Sequence, residues 1–316
     1  MSPAATPDAT DVADASAFLD VEDLVVDYPT PSGTVRAVDH VSFSVPRGGS
    51  LAVVGESGSG KSTIACAIVR LLKPASGRIV LDGTDLATLP ERRLRPLRRR
   101  VQMVFQDPYG SLAPHLTALE IVAEPLRVAG VKDRTERRRR AAGLLDRVGL
   151  PATALERRPD EFSGGQRQRI GIARALASEP DLLVCDEATS ALDVSVQAQV
   201  LDLLRELREE TDITYIVIAH HLGVVREIST DVVVLKAGQV VERGRTADVL
   251  AAPVEPYTRS LRRAALDPTA IRGLKPRTLA ASTPTRTPAP ATTAPEPHTA
   301  QTPHTPHTVS PEGTGK

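Results

Sequence analysis

The segment Gly55-Glu56-Ser57-Gly58-Ser59-Gly60-Lys61-Ser62 satisfies GxxxxGK[ST] at every fixed position. An apolar run at 50–54 precedes it, and residues 61–72 after it carry the apolar spacing of a helix. Strand, glycine-rich turn and helix in that order form the first unit of a parallel α/β sheet, which excludes an all-β or all-helical chain. The glycines let the backbone curl until its N–H groups converge on phosphate oxygens, and the helix N-terminus adds partial positive charge. Lys61 is then placed for the β- and γ-phosphates of a nucleotide and Ser62 for Mg2+, with Thr63 next to it counted among the nucleotide-binding residues.

Two further motifs follow. Leu182-Leu183-Val184-Cys185-Asp186-Glu187 has the pattern of a buried parallel strand ending in two carboxylates. Asp186 suits a Mg2+ shell and Glu187 the orientation and deprotonation of an attacking water; an acidic strand end that merely caps the next helix is the plainer alternative. Between these motifs lies Ser163-Gly164-Gly165-Gln166-Arg167, a Ser/Gly turn that opens a helical pattern over 166–177. A flexible Ser/Gly loop would leave that helical pattern unexplained.

The three motifs in this order resemble the ATP-binding cassette (ABC) ATPases, and the likeness covers residues 20 to about 263. The resemblance implies an α/β P-loop NTPase cassette with a RecA-like core sheet, an antiparallel β subdomain and a helical subdomain bearing the signature. It implies ATP and Mg2+ as cofactors. The signature Ser163, Gly164, Gly165 and Gln166 would meet the γ-phosphate of ATP held by a second cassette. Gln106, after a strand at 101–105, looks like the glutamine that touches Mg2+ or water. Ser190-Ala191-Leu192-Asp193 resembles the D-loop, with Asp193 shaping the opposite site. His220 is similar to the switch histidine at the γ-phosphate, and Tyr28 stands where the family sets an aromatic ring under adenine. Two positions depart from the pattern. His221 replaces the usual Asp, which bears on the protonation of His220, and Ala113 replaces the usual Asn of the closest subfamily.

Composition adds limits. Lys+Arg 39 against Asp+Glu 39 gives no excess positive charge for nucleic acid. The arginine runs at 92–93, 98–100 and 137–140 read as solvated helix faces. Aromatics at 3% and no Trp leave the core to Leu, Val, Ile and Ala. Cys66 and Cys185 read as small buried hydrophobes in a helix and a strand, with no spacing for a metal cage. Residues 1–16 lack basic residues and an apolar run, so they do not read as a secretory signal, and no apolar run is long enough to span a bilayer.

The expected organisation is a disordered N-terminus at 1–18, an ABC ATPase domain at 19–251 with its helical subdomain at about 107–178, a C-terminal segment at 252–266 and a tail at 267–316. Short β patterns from 18 to 45, turning at 29–33, predict the antiparallel layer. Helices are expected at 116–128 and 134–148, and further strands at 182–185, 213–219 and 232–235. The tail holds ten of the 26 prolines with Thr, Ala and His, a composition that cannot fold; His298, His304 and His307 within it read as solvated.

Within the ABC ATPases, Gln106-Asp107-Pro108-Tyr109-Gly110-Ser111-Leu112 and Glu255-Pro256-Tyr257-Thr258-Arg259-Ser260-Leu261 look most like the oligopeptide/dipeptide importer ATPases. Tyr109 favours the second of the two such subunits. The resemblance implies a peripheral ATP-hydrolysing subunit on the cytoplasmic face of the membrane. Its partners would be a second ABC ATPase subunit, two transmembrane permease subunits and, indirectly, a solute-binding protein. The alternatives are the ATPase of another ABC system (nickel or glutathione-type import, or export) and a soluble ABC ATPase. Lys61 and Ser163 are only 102 residues apart without sustained heptads, and only one cassette is present, which argues against the DNA-repair and ribosome-acting relatives.

Overall fold

The structure is a computed structural model and describes residues 17–31, 33–188, 194–219 and 222–266. Two strands open it, β1 (Ala17–Thr30) and β2 (Gly33–Pro46), paired antiparallel from Thr30↔Gly33 back to Ala17↔Pro46. The sequence suggests several short β segments here, whereas the chain builds two long strands. Register shifts between Val21 and Leu24 and again before Val26 and Asp27 interrupt the alternation of apolar residues, which is why the pattern reads as broken.

The chain then runs through β3 (Ser50–Val54), α1 (Lys61–Ile68), β4 (Ser76–Leu81), β5 (Thr84–Asp85), α2 (Glu91–Leu97) and β6 (Val101–Val104). Helices α3 (Pro108–Ser111), α4 (Ala118–Val128), α5 (Arg134–Arg147) and α6 (Gly164–Leu176) follow. Then come β7 (Leu182–Asp186), α7 (Val194–Glu210), β8 (Thr214–Ala219), α8 (Leu222–Ile228), β9 (Asp231–Lys236), β10 (Gln239–Arg245), α9 (Thr246–Ala251) and α10 (Pro256–Leu266).

The strands form two sheets. The six-stranded sheet has the order β10-β9-β3-β8-β7-β6 and is parallel except for the β9–β10 hairpin. Strands β3, β7 and β8 are buried at every residue, as expected of parallel strands covered on both faces. The second sheet, β2-β1-β4-β5, is antiparallel. One apolar core joins this sheet and α1 to the parallel sheet through residues such as Leu19, Phe43, Ile64, Ile68 and Ile216. Another packs α4 to α7 against the parallel sheet around Ile121, Leu145, Ile170, Leu204 and Tyr215.

Side-chain caps set the helix starts. Thr117 and Glu120 cap α4 reciprocally, Asp133 accepts from the amides of Thr135 and Glu136 at α5, and Ser163 with Gln166 caps α6. Helix α1 ends four residues sooner than the apolar spacing predicts. Arg70 adopts φ +56, and the amides of Leu71 and Leu72 turn back to the Cys66 carbonyl. Strand β10, α7 and α10 have no counterpart in the sequence expectation. β10 is a mostly exposed edge strand with three charged residues among seven, so it lacks the apolar signal of its neighbours. Expectations placed on residues 1–16, the tail at 267–316, Asp193 and the rest of its loop, His220 and His221 lie outside the described residues.

Candidate functional site

The site gathers at the carboxyl ends of β3, β7 and β6, where an open α/β sheet leaves a crevice. From β3 the chain enters the 55–62 loop, whose Gly60 has φ +102 and lies so close to β2 that a Cβ would stand 2.3 Å from the Ala37 carbonyl oxygen. Only glycine fits that approach. Gly60 also occupies the N-cap of α1, so no side chain caps this helix, in contrast to α4, α5 and α6. The first-turn N–H groups of α1 are left to serve an anion.

Lys61 is 4% exposed and its ammonium donates to the carbonyls of Gly55 (3.0 Å) and Glu56 (2.9 Å). Burial draws its pKa below the usual lysine value, while the charges of Glu187, Asp186 and Glu56 oppose that shift. Ser62 donates to Asp186 Oδ1 at 2.9 Å, joining the loop to the end of β7. Burial raises the Asp186 carboxyl above its usual value; Glu187 adds to the rise, and the Ser62 hydroxyl and Lys61 counter it. Gln106, two residues past β6, donates from Nε2 to Glu187 Oε2 at 2.8 Å. Glu187 is held at φ +43, a left-handed conformation that costs a non-glycine residue about 1–3 kcal/mol, and its amide bonds the Ile218 carbonyl. The Tyr28 hydroxyl lies 3.3 Å from Thr63 Oγ1.

A cleft of about 230 Å³ is lined by Ser57, Gly58, Gly60, Lys61, Ser62, Thr63, Gln106 and Glu187, together with Ala37 of β2. A hydroxyl paired with a carboxylate, Ser62 with Asp186, is a hard oxygen set that fits Mg2+ beside phosphate. The structure thus brings together Lys61, Ser62, Gln106, Asp186 and Glu187. Ser163, Gly164, Gly165 and Gln166 are not among the residues lining this cleft. They begin α6, where Ser163 Oγ accepts from the Gln166 amide (3.3 Å) and Gln166 Oε1 from the Ser163 amide (3.0 Å). Gly165 is buried against α7, a Cβ there standing 2.0 Å from Val196 Cγ1.

Helix α6 is also tied to the loop that carries Gln106. Arg167 stacks on the Tyr109 ring at 3.5 Å and donates to the Pro159 carbonyl, Gln168 donates to the Phe105 carbonyl at 3.4 Å, and Arg174 bonds the Ser111 carbonyl. Arg167 and Gln168 are visible in the sequence only as polar residues of the signature helix, and their burial is set by contacts distant in the chain. Tyr257, outside the sequence motifs of the site, also reaches this loop: its hydroxyl accepts a 3.0 Å hydrogen bond from the Glu56 amide. The signal available was the Pro-Tyr-Thr segment itself, which carries no indication that it folds back onto the 55–62 loop. Beside the site, a larger groove of about 990 Å³ runs past Leu71, Phe105, Gln106, Tyr109 and Arg174, with Phe105 and Tyr109 exposed.

A P-loop, an acidic strand end and a capped signature helix on one mixed α/β frame define a nucleotide-binding cassette. The family described as ABC transporter matches residues 38–190. The chain is 48% identical over 244 residues to a putative peptide import ATP-binding protein of Brucella ovis, covering 77% of each chain. It is 49% identical over 265 residues to a probable peptide ABC transporter ATP-binding protein of Sinorhizobium fredii, covering 82% of this chain and 75% of the relative. Among solved structures, an ATP-binding cassette dimer in a post-hydrolysis state with ADP and Pi shares 33% identity at a TM-score of 0.67, over 72% of this chain and 98% of that one. The cbiO1 protein of Clostridium perfringens, part of the ABC transporter complex cbiONQ, shares 30% identity at a TM-score of 0.66, over 81% of this chain and 97% of that one. The chain belongs to the ATP-binding proteins of the ABC transporter family and is an ATPase. Among the described residues, no helix is long and apolar enough to cross a membrane.

Proposed function

We propose that this chain is the ATP-hydrolysing subunit of a peptide importer, seated on the cytoplasmic face of the membrane and working as one of two cassettes that close on ATP. The observation that carries the reading is the separation of the two halves of the site. Lys61, Ser62, Gln106 and Glu187 line one cleft, with Asp186 bonded to Ser62 beside it, while the Ser163–Gln166 helix start stands outside that lining and only Gly164 reaches the neighbouring groove. A second cassette then supplies the signature, consistent with the dimeric form of the related cassette. The peptide-import names of the relatives support the cargo class.

In the proposed division of labour, Lys61 and the 55–62 backbone bind and orient the phosphates, and Tyr28 supports the adenine ring. Glu187 takes the proton of the attacking water, held toward it by Gln106, with His220 at the γ-phosphate. Ser62, Asp186 and Gln106 would hold Mg2+, which neutralises phosphate charge when bound. Asp193 and Ser163 to Gln166 act on the opposite site. The groove beside Phe105 and Tyr109 receives a helix of a permease subunit, and residues 107–178 form the helical subdomain that carries it. Residues 252–266 are read as the importer-type C-terminal segment and 267–316 as a tail outside the folded cassette.

The test is reconstitution of this chain with its companion ATPase, permeases and solute-binding protein in vesicles. Peptides are expected to stimulate ATP hydrolysis and to accumulate only with ATP. Stimulation by nickel chelates or glutathione, with peptides inert, would overturn the cargo assignment and leave the ATPase assignment standing.

A further inference from the structure

The C-terminal helix α10 is fastened at its entry and again past its middle. The Glu242 carboxylate on β10 accepts from the amides of Val254 (2.8 Å) and Glu255 (3.2 Å), the two residues that lead into α10. Farther along, Arg262 donates to the carbonyls of Leu250 (3.0 Å) and Ala251 (2.6 Å) at the end of α9. These contacts fix the first turn of α10, and with it Tyr257. The Tyr257 ring lies under the Lys236 ammonium at 5.1 Å, and its hydroxyl accepts from the Glu56 amide at 3.0 Å.

Glu56 is the second residue of the P-loop, held from within the loop at its carbonyl and from outside it at its amide. Its amide is held by Tyr257 and its carbonyl by Lys61 at 2.9 Å. Farther along the loop, the Gly238 amide of the β9–β10 turn donates to the Ser59 carbonyl at 3.0 Å. When Lys61 turns to a phosphate, the Glu56 carbonyl keeps the Ser59 amide at 3.2 Å, and the Tyr257 hydroxyl holds the adjoining 55–56 peptide from outside the loop.

We propose that Tyr257 is a positioning residue for nucleotide binding: carried on α10, its hydroxyl holds the Glu56 amide and keeps the P-loop in its phosphate-receiving shape. The inference rests on the reading of residues 55–62 as the nucleotide loop. It assigns the C-terminal segment, which lies beyond the 38–190 match to the family, a part in setting the ATP affinity of this cassette.

The full chain is titrated with MgATP and with MgADP, and its melting temperature is measured without nucleotide. Tyr257→Phe keeps the ring and its stack on Lys236 and deletes only the acceptor. Its Kd for both nucleotides is expected to rise about 2- to 10-fold, the range one net hydrogen bond supplies, with the melting temperature lowered by no more than about 6 °C. Tyr257→Leu, which also removes the ring, is expected to weaken binding at least as much. A wild-type Kd in Tyr257→Phe, or a loss of melting temperature with affinity intact, overturns the proposal. Lys61→Ala separates the two levels. If it abolishes nucleotide binding while Tyr257→Phe does nothing, the positioning role alone fails; if Lys61→Ala binds normally, the reading of the loop fails.

Discussion

Replacing Gly165 by Ala places one methyl group between α6 and α7. A Cβ there would stand 2.0 Å from Val196 Cγ1, 3.4 Å from its Cβ and 3.7 Å from its Cγ2. Carbon atoms rest comfortably at about 3.5–4.0 Å, so Val196 or α6 has to give way by roughly 1.5 Å. A valine in a helix holds one rotamer about 90% of the time, so turning the side chain away is itself costly. Overpacking of this kind costs about 1–3 kcal/mol. At about 2–4 °C per kcal/mol for a chain of 150–250 residues, the melting temperature should fall by about 2–12 °C. Val196→Ala removes the colliding methyls, so the double variant should recover most of the loss, with a coupling energy of about 1–3 kcal/mol. Thermal melts of the full chain at the four corners of this cycle give the coupling, and a MgATP titration should give a wild-type Kd, since Gly165 does not line the cleft. Additive effects in the cycle, or a Gly165→Ala protein that melts like the wild type, would refute the steric argument.

Three further outcomes are expected. Glu187→Gln keeps the Gln106 contact within reach but removes the base, so turnover in the assembled transporter should fall about 10²- to 10⁴-fold while MgATP binding persists; near-normal turnover would remove Glu187 from that role. Gly164→Asp sets a carboxylate at the start of α6 and should abolish transport-coupled hydrolysis with this chain's own nucleotide affinity nearly intact; if affinity collapses along with turnover, the two-chain site is wrong. Because burial raises the Asp186 pKa, the folded chain binds that proton more tightly than the unfolded chain does. Stability therefore falls as pH rises from the ordinary value of 3.8 through the raised one, and remains lowered above it. Nucleotide-free Asp186→Asn should accordingly melt above the wild type at pH 7, by a margin that shrinks as the solution is acidified; an equal or lower melting temperature at pH 7 contradicts this sign.

The site's nearest contacts are the part most visible in the chain's letters. Each is carried by a short motif whose geometry follows from local rules: glycine-rich turn, acidic strand end, Ser-x-x-Gln cap. The Ser163–Gln166 box could be drawn from spacing alone, and the buried strands β3, β7 and β8 announce themselves as unbroken apolar runs. What escaped are contacts between residues remote in the chain. Nothing local marks Tyr257 as reaching residue 56, 201 positions away, or Arg167 as stacking on Tyr109. The same holds for the end of α1, where Arg70 takes a left-handed turn and its guanidinium bonds the Leu86 carbonyl. Strand β10, polar and exposed, is recognisable only once β9 is there to pair with it.

Strand β6 is the last in its sheet, paired on one side only, through Val101↔Leu182 to Val104↔Cys185. The chain leaves its end to build α3 to α6 and re-enters the sheet at β7, so these helices hang from the rim as a bracket hangs from the edge of a shelf. The crossing at 105–107 is where β6 gives way to these helices, and there Gln106 donates to Glu187, so the bracket and the carboxylate assigned to the water are joined through a single side chain.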